Sequence, residues 1–394
     1  MQNNISVYPV RISDAEDMIN VCKKIGTDSH ALSYLIPKSK AFHIYAERVD
    51  YRAANFIKQE MLSRGGDTAV AKHVIDGKTD YSDILIMGTE KQILNLIEKM
   101  KAMNIWGIDG LREKLAEAMR NIKAGNWELL SPNGHKIILG TKTKLMAILN
   151  LTPDSLFPES RTDEKGIIER AGKFLNEGAY ILDVGAESTR PGAESISADE
   201  EAGRLIPALR ILRREFPDAL ISVDTYKAEI ARISAEEGAD LINDISGGRF
   251  DSEMAGTVKA LRIPYVLSHI EGTPKDMAKY EAHENILGDM NRYFSAELEE
   301  LEEIRENIII DPGLGFGKSS ADNFEVLKNI ESLKIFGRPL MIGHSRKRFT
   351  GTDSIAGTLS VSALMSGRVS LLRVHEVREN MRALETGEKF NISR

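Results

Sequence analysis

At 394 residues the chain exceeds one ordinary domain of about 100–200 residues, so two domains are expected, one of them long enough for an α/β barrel of roughly 250. Hydrophobic residues at 42% and charged residues at 28% suit a folded globular protein, and a net charge of −7 gives no basic footprint for nucleic acid. A single cysteine, Cys22, excludes an intramolecular disulfide and a cysteine-based zinc site. No apolar run approaches the ~20 residues of a membrane span, and the N-terminus M-Q-N-N-I-S-V-Y-P-V has no basic stretch leading into an apolar core, so a cytoplasmic location is expected.

Residues 1–124 read as a smaller N-terminal domain, α/β or α+β. Ile5–Val10 is expected to be a short strand and Asp83–Met87 a buried one. Asp14–Lys24, Arg52–Ser63 and Glu90–Met103 carry helical apolar spacing, and Gly110–Ala124 reads as a helix leading out. Gly65-Gly66 after a helix suggests a glycine C-cap rather than an anion-binding turn. His43 and His73 have no partner at metal-ligand spacing and are taken as structural or exposed. No function follows from this region.

Residues 125–394 read as a (β/α)₈ TIM barrel. Trp127–Gly140 has two short apolar runs around Ser131-Pro132-Asn133-Gly134, which is hairpin grammar. Eight strand candidates follow, separated by helical patterns: Leu145–Asn150, Tyr180–Gly185, Leu220–Asp224, Leu241–Asp244, Tyr265–His269, Asn307–Asp311, Pro339–His344 and Ser370–His375. The second delivers Y-I-L-D-V-G-A-E-S-T-R-P-G, a strand ending in a polar loop, and Ser197 to Glu200 then has the form of a capping box. Nearly every strand exits in a polar residue: Asn150, Glu187, Asp224, Asn243, His269, Asp311, Ser345 with Lys347, and Arg373 with His375. One such residue would ordinarily be solvated or cap a helix. A ring of them at the mouth of a barrel reads as a site.

The residue types limit the chemistry. A carboxylate accepts two parallel hydrogen bonds, so Asp311 suits an amino-pyrimidine edge, which Asp224 and Asn243 can complete. Arg373 and His375 alternate on one strand, face the same way and can donate to an anion. With Ser188, Thr189 and Arg190 they suit phosphate or diphosphate, and Asn150 can offer an oxygen to Mg²⁺. The competing reading of R-V-H is an ion pair with Glu376 or Glu379.

The blocks N-L-T-P-D-S (150–155), E-S-T-R-P-G (187–192), S-V-D-T-Y-K-A-E (222–229), I-N-D-I-S-G-G (242–248), S-H-I-E-G-T-P (268–274), D-P-G-L-G-F-G-K (311–318), S-R-K-R-F (345–349) and R-V-H-E-V (373–377) together resemble the ordered signature of the dihydropteroate synthase family. The likeness covers about residues 127–394, and the N-terminal region is similar to the extra domain of longer bacterial members. The resemblance implies condensation of 6-hydroxymethyl-7,8-dihydropterin diphosphate with p-aminobenzoate, without a side-chain nucleophile, in a cytoplasmic homodimer that binds neither nucleic acid nor membrane. It implies that Asp224, Asn243, Asp311 and Lys347 hold the pterin, and that Asn150, Arg373 and His375 hold the diphosphate, with Asn150 on Mg²⁺. It further implies that Thr189, Arg190, Pro191, Phe316 and Lys347 hold p-aminobenzoate. A methyltetrahydrofolate-binding methyltransferase would share the barrel and the pterin carboxylates, but would need neither S-R-K nor R-V-H.

Three positions depart from the family pattern. Leu156-Phe157-Pro158-Glu159-Ser160 stands where Phe-Ser-Asp-Gly-Gly is usual, which predicts weaker packing on p-aminobenzoate. Ser268 stands for a methionine, and His344 for a small or aliphatic residue.

Overall fold

The computed structural model describes residues 6–10, 12, 15–140, 142–151, 161–187, 195–273, 282–351 and 355–391. The chain divides into two compact units, Met1–Arg120 and Asn121–Lys389.

In the first unit, β1 (Ala41–Asp50), β2 (Asp67–Val70) and β3 (Tyr81–Thr89) form an antiparallel sheet in the order β1-β3-β2. In β3, Ser82, Ile84 and Ile86 are buried while Tyr81 and Asp83 are exposed, the period-two pattern of a sheet covered on one face. The covering side chains include Ile57 and Met61 of helix Tyr51–Ser63 and Ile93, Leu96 and Met100 of helix Glu90–Met100. Gly65 follows the C-cap Arg64 at φ +75°. The N–H groups of Gly65 and Gly66 donate to Leu62 O (3.1 Å) and Met61 O (3.0 Å), so the glycine pair closes the helix as its position suggested. The strand expected at Ile5–Val10 is absent from its described residues, 6–10. Val7 and Tyr8 there are exposed, and Pro9 has no N–H to donate to a ladder.

The second unit opens with the expected hairpin, β4 (Trp127–Leu130) paired antiparallel to β5 (Lys136–Leu139). Eight parallel strands follow at the expected places: β6 (Lys144–Asn150), β7 (Ile181–Gly185), β8 (Leu220–Asp224), β9 (Leu241–Asp244), β10 (Tyr265–Ser268), β11 (Ile308–Asp311), β12 (Met341–Ile342) and β13 (Leu371–Val374). Their order is β11-β10-β9-β8-β7-β6-β13-β12, and a parallel bridge between Ile310 and Leu340 joins the two ends into a barrel.

Alternation sorts each strand into two faces. Leu145, Ala147 and Leu149 of β6 join the apolar layer under the helices, with Ile167 and Ala171. Met146, Ile181, Leu220, Leu241, Val266, Ile309, Met341 and Leu371 point the other way and fill the start of the barrel, where Leu129, Ile137 and Leu139 of the hairpin close it. Two residues further along the same inward face come Asp183, Ser222 and Asn243. The interior therefore changes from a sealed apolar floor to a polar mouth within about 7 Å of strand.

Candidate active site at the barrel mouth

Register aligns the upper layer. Asn150 lies opposite Gly185, Gly185 opposite Asp224, Asp224 opposite Asn243, and Ser268 opposite Asp311. Arg373 reaches into this layer from β13 and is held as a fork. Its Nε donates to Asp183 Oδ2 at 2.6 Å and a terminal nitrogen donates to Asp224 Oδ2. Asp183 also accepts from Ser222 Oγ (2.7 Å) and Asn243 Nδ2 (3.2 Å). One fully buried carboxylate thus orients a proposed anion-binding arginine and a proposed pterin-binding amide. Asp183 was not among the expected site residues, since it lies in the middle of β7 and not at its end. A carboxylate in the middle of I-L-D-V-G was the available signal.

Asp311 is fixed at the opposite wall. Its Oδ1 accepts from the Gly313 N–H at 2.8 Å. A Cβ added to Gly343 would sit 4.0 Å from both Asp311 Oδ2 and the Arg373 Cδ, so the missing side chain opens the space between them. Lys347 places its Nζ 3.7 Å from the centre of the Phe316 ring, a cation–π contact, and Phe316 packs with Ile245 and Ile270. Ser345 Oγ lies 3.0 Å from His375 Nδ1 and accepts the His375 backbone N–H at 3.3 Å. Glu376 pairs with Arg346.

Burial dominates the electrostatics. It pushes Asp224 up to about 7 against the pull of Arg373, and it raises Asp311 against the Gly313 N–H and Lys347. Burial also lowers Lys347 to about 8, with Arg373 adding to the shift and Asp311 and Asp224 opposing it. For Arg373, burial favours the neutral form, but Asp224 and Asp183 more than offset it and the guanidinium stays charged.

Other expected mouth residues point elsewhere. His269 turns outward, edge-on to Tyr293 with ring centres 5.0 Å apart, and burial lowers it to about 2, so it is a neutral core residue. Glu187 is tied to Lys227 and accepts from Tyr226 OH at 2.8 Å, while Lys227 also holds the buried Glu201. His344, buried and lowered by burial to about 4, lies 3.1 Å from Thr358 O and 2.8 Å from Ser362 Oγ, pinning the segment after β12 to helix Ile355–Met365. Ser188, Thr189, Arg190, Pro191 and Leu156–Ser160 lie outside the described residues.

Asn150 Oδ1 accepts no hydrogen bond among the described residues, and a Cβ added to Gly185 would sit 3.7 Å from it and 3.6 Å from Asp224 Oδ2. A hard amide oxygen at the edge of an anion site suits Mg²⁺, which takes most of its ligands from water and substrate phosphates.

A parallel barrel with buried carboxylates facing half-buried cations across its C-terminal mouth defines a TIM-barrel enzyme for a small ligand that donates several hydrogen bonds and carries an anionic group. Residues 146–375 match the family described as pterin binding enzyme, and the chain belongs to it. It is 33% identical to the Helicobacter pylori bifunctional dihydropteroate synthase/dihydropteroate reductase over 375 residues, 92% of this chain and 93% of that protein. It is 41% identical over 257 residues to the Pneumocystis carinii folic acid synthesis protein fol1, covering 60% of this chain and 34% of that longer protein, so it spans about a third of that relative. The Xanthomonas albilineans dihydropteroate synthase structure with 4-aminobenzoic acid superposes with a TM-score of 0.59 at 32% identity, over 64% of this chain and 95% of that one.

Proposed function

We infer that the chain is a dihydropteroate synthase, joining 6-hydroxymethyl-7,8-dihydropterin diphosphate to p-aminobenzoate. The observation that carries this is the facing of two buried carboxylates, Asp224 and Asp311, with two half-buried cations, Arg373 and Lys347, around the opening at Gly343. The carboxylates and Asn243 suit the donor edge of the pterin ring, while Arg373 and His375 suit the diphosphate. In the reaction the methylene C–O bond breaks and its electron pair leaves with the diphosphate. The arylamine nitrogen forms the new C–N bond and gives up a proton. The electron-rich dihydropterin stabilises the methylene carbon, so the residues act by placing the two substrates and holding the leaving charge. Asn150 would hold Mg²⁺, which when bound supplies further neutralisation of the diphosphate. Phe316 and Lys347 offer a ring and a cation to p-aminobenzoate.

Purified protein supplied with the pterin diphosphate, p-aminobenzoate and Mg²⁺ is expected to release dihydropteroate and diphosphate; binding of the pterin with no product would refute the synthase reading. A sharper expectation concerns Arg373→Lys, which keeps the charge between Asp183 and Asp224 but loses the planar fork. Affinity for the diphosphate ester should fall at least about tenfold, or 1.4 kcal/mol. Affinity for bare 6-hydroxymethylpterin should change less than about threefold. Equal losses for both ligands by calorimetry would remove Arg373 from the diphosphate site. Among the described residues no helix is long and apolar enough to cross a membrane. The family likeness leads us to expect a cytoplasmic homodimer, which light scattering of the purified chain tests for assembly.

A further inference from the structure

One half-buried cation beside the site has every donor engaged by backbone. Lys318 ends the segment D-P-G-L-G-F-G-K, and its Nζ donates to the carbonyl oxygens of His269 (3.0 Å), Gly313 (3.1 Å) and Phe316 (3.1 Å). An ammonium has three protons, so none remains for a ligand. Two of the acceptors belong to the loop after β11 and the third lies at the end of the neighbouring β10, so the side chain ties loop to adjacent strand. The approach is close: Gly313 has φ +64°, and a Cβ there would overlap the His269 carbonyl oxygen. Asn323 secures the loop from the other side, accepting from the Gly315 N–H at 2.7 Å and donating to Lys318 O at 3.2 Å and Ser319 O at 2.7 Å. Between these fixed points stands Phe316, with Lys347 over its ring.

We propose that Lys318 is a positioning residue for the p-aminobenzoate half of the site: its ammonium binds the Gly313 and Phe316 carbonyls to that of His269 and so fixes the Phe316 ring. This rests on Phe316 serving p-aminobenzoate, as read above. Three converging carbonyl oxygens need three donors. A neutral amine supplies two and a thioether none. Burial lowers the Lys318 ammonium to about 7, with Asp311, Glu271 and Asp322 favouring the charged form and Lys347 opposing it. The three-bond arrangement is therefore complete below neutral pH and loses one bond above it.

Steady-state kinetics of the full chain at pH 6.5 test this with Lys318→Met, Lys318→Gln and Phe316→Ala. Lys318→Met is expected to raise KM for p-aminobenzoate at least tenfold, with kcat and the affinity for bare 6-hydroxymethylpterin changing less than threefold. Lys318→Gln keeps two donors and should give an intermediate KM, and it decides the matter if the methionine variant does not fold. An unchanged KM in either folded variant, or a matching fall in pterin affinity, overturns the proposal while a raised KM in Phe316→Ala leaves the reading of Phe316 standing. An unchanged KM in Phe316→Ala overturns both.

Discussion

Asp311→Ala is expected to lower turnover at least about a hundredfold in a protein that remains folded, because a hydrogen-bond partner lost to charged or buried donors costs about 3 kcal/mol. The residue sits at the end of β11 with one oxygen held by the Gly313 N–H at 2.8 Å and the other facing the opening at Gly343. Lys347, Lys318 and Arg373 all act on this carboxylate. Removing it leaves their charge less compensated and leaves the pterin N–H groups without an acceptor. Asp311→Asn retains the shape but presents an amide whose N–H₂ can face those donors, so it should also lose most activity. Steady-state rates beside a circular-dichroism melt check both variants. A folded Asp311→Ala protein within tenfold of the parent would remove Asp311 from the pterin site.

The barrel was legible because its strands are buried on both faces. All five residues of β7 and all five of β8 are buried, so each reads as an apolar run that stops where the chain turns polar. The same rule hid Asp183, since a carboxylate inside such a run looks like an interruption and shows its purpose only when Ser222, Asn243 and Arg373 arrive from three other strands. Lys318 was hidden differently, within a segment read for its glycines, because its three acceptors are backbone atoms that no side-chain pattern records.

Local grammar failed where another partner competed or an irregularity intervened. Ser197 does cap its helix by accepting the Glu200 N–H at 3.2 Å, yet the Glu200 side chain pairs with Arg204. In the first unit β1 escaped notice because its register shifts between Ala46 and Val49, where Arg48 adopts φ +54° and its N–H donates to Asp83 Oδ1 at 2.9 Å. Helix Ser29–Ser39 carries Pro37 and buries none of its residues, so it has no apolar stripe to read.

The floor of the barrel should govern stability as the mouth governs chemistry. Asp240, fully buried just before β9, accepts from Ser131 Oγ (2.8 Å), from an Arg213 terminal nitrogen (2.8 Å) and from the Ile221 N–H (2.9 Å), with His135 Nδ1 at 2.9 Å. Ser131 and His135 belong to the turn of the hairpin that closes the floor, so one carboxylate fastens that cover to β8 and to helix Ala198–Glu215. A cleft of about 560 Å³ lined by Asn133, His135, Arg210 and Arg213 opens at this end. The three arginines that line it are already paired, Arg210 with Glu237, Arg213 with Asp240 and Arg214 with Glu164 and Glu215, which marks it as a structural seam. Asp240→Ala leaves Arg213 without its carboxylate and the Ile221 N–H without an acceptor. Breaking a buried pair from one side costs about 3–5 kcal/mol. For a unit of this size that corresponds to a fall in melting temperature of roughly 6–20 °C. KM for both substrates should stay within about twofold at a temperature where the variant is folded, because the mouth lies at the other end of the strands. A melting temperature lowered by less than about 2 °C would show that the hairpin is held by its apolar contacts with Met146, Ile181 and Leu371 alone.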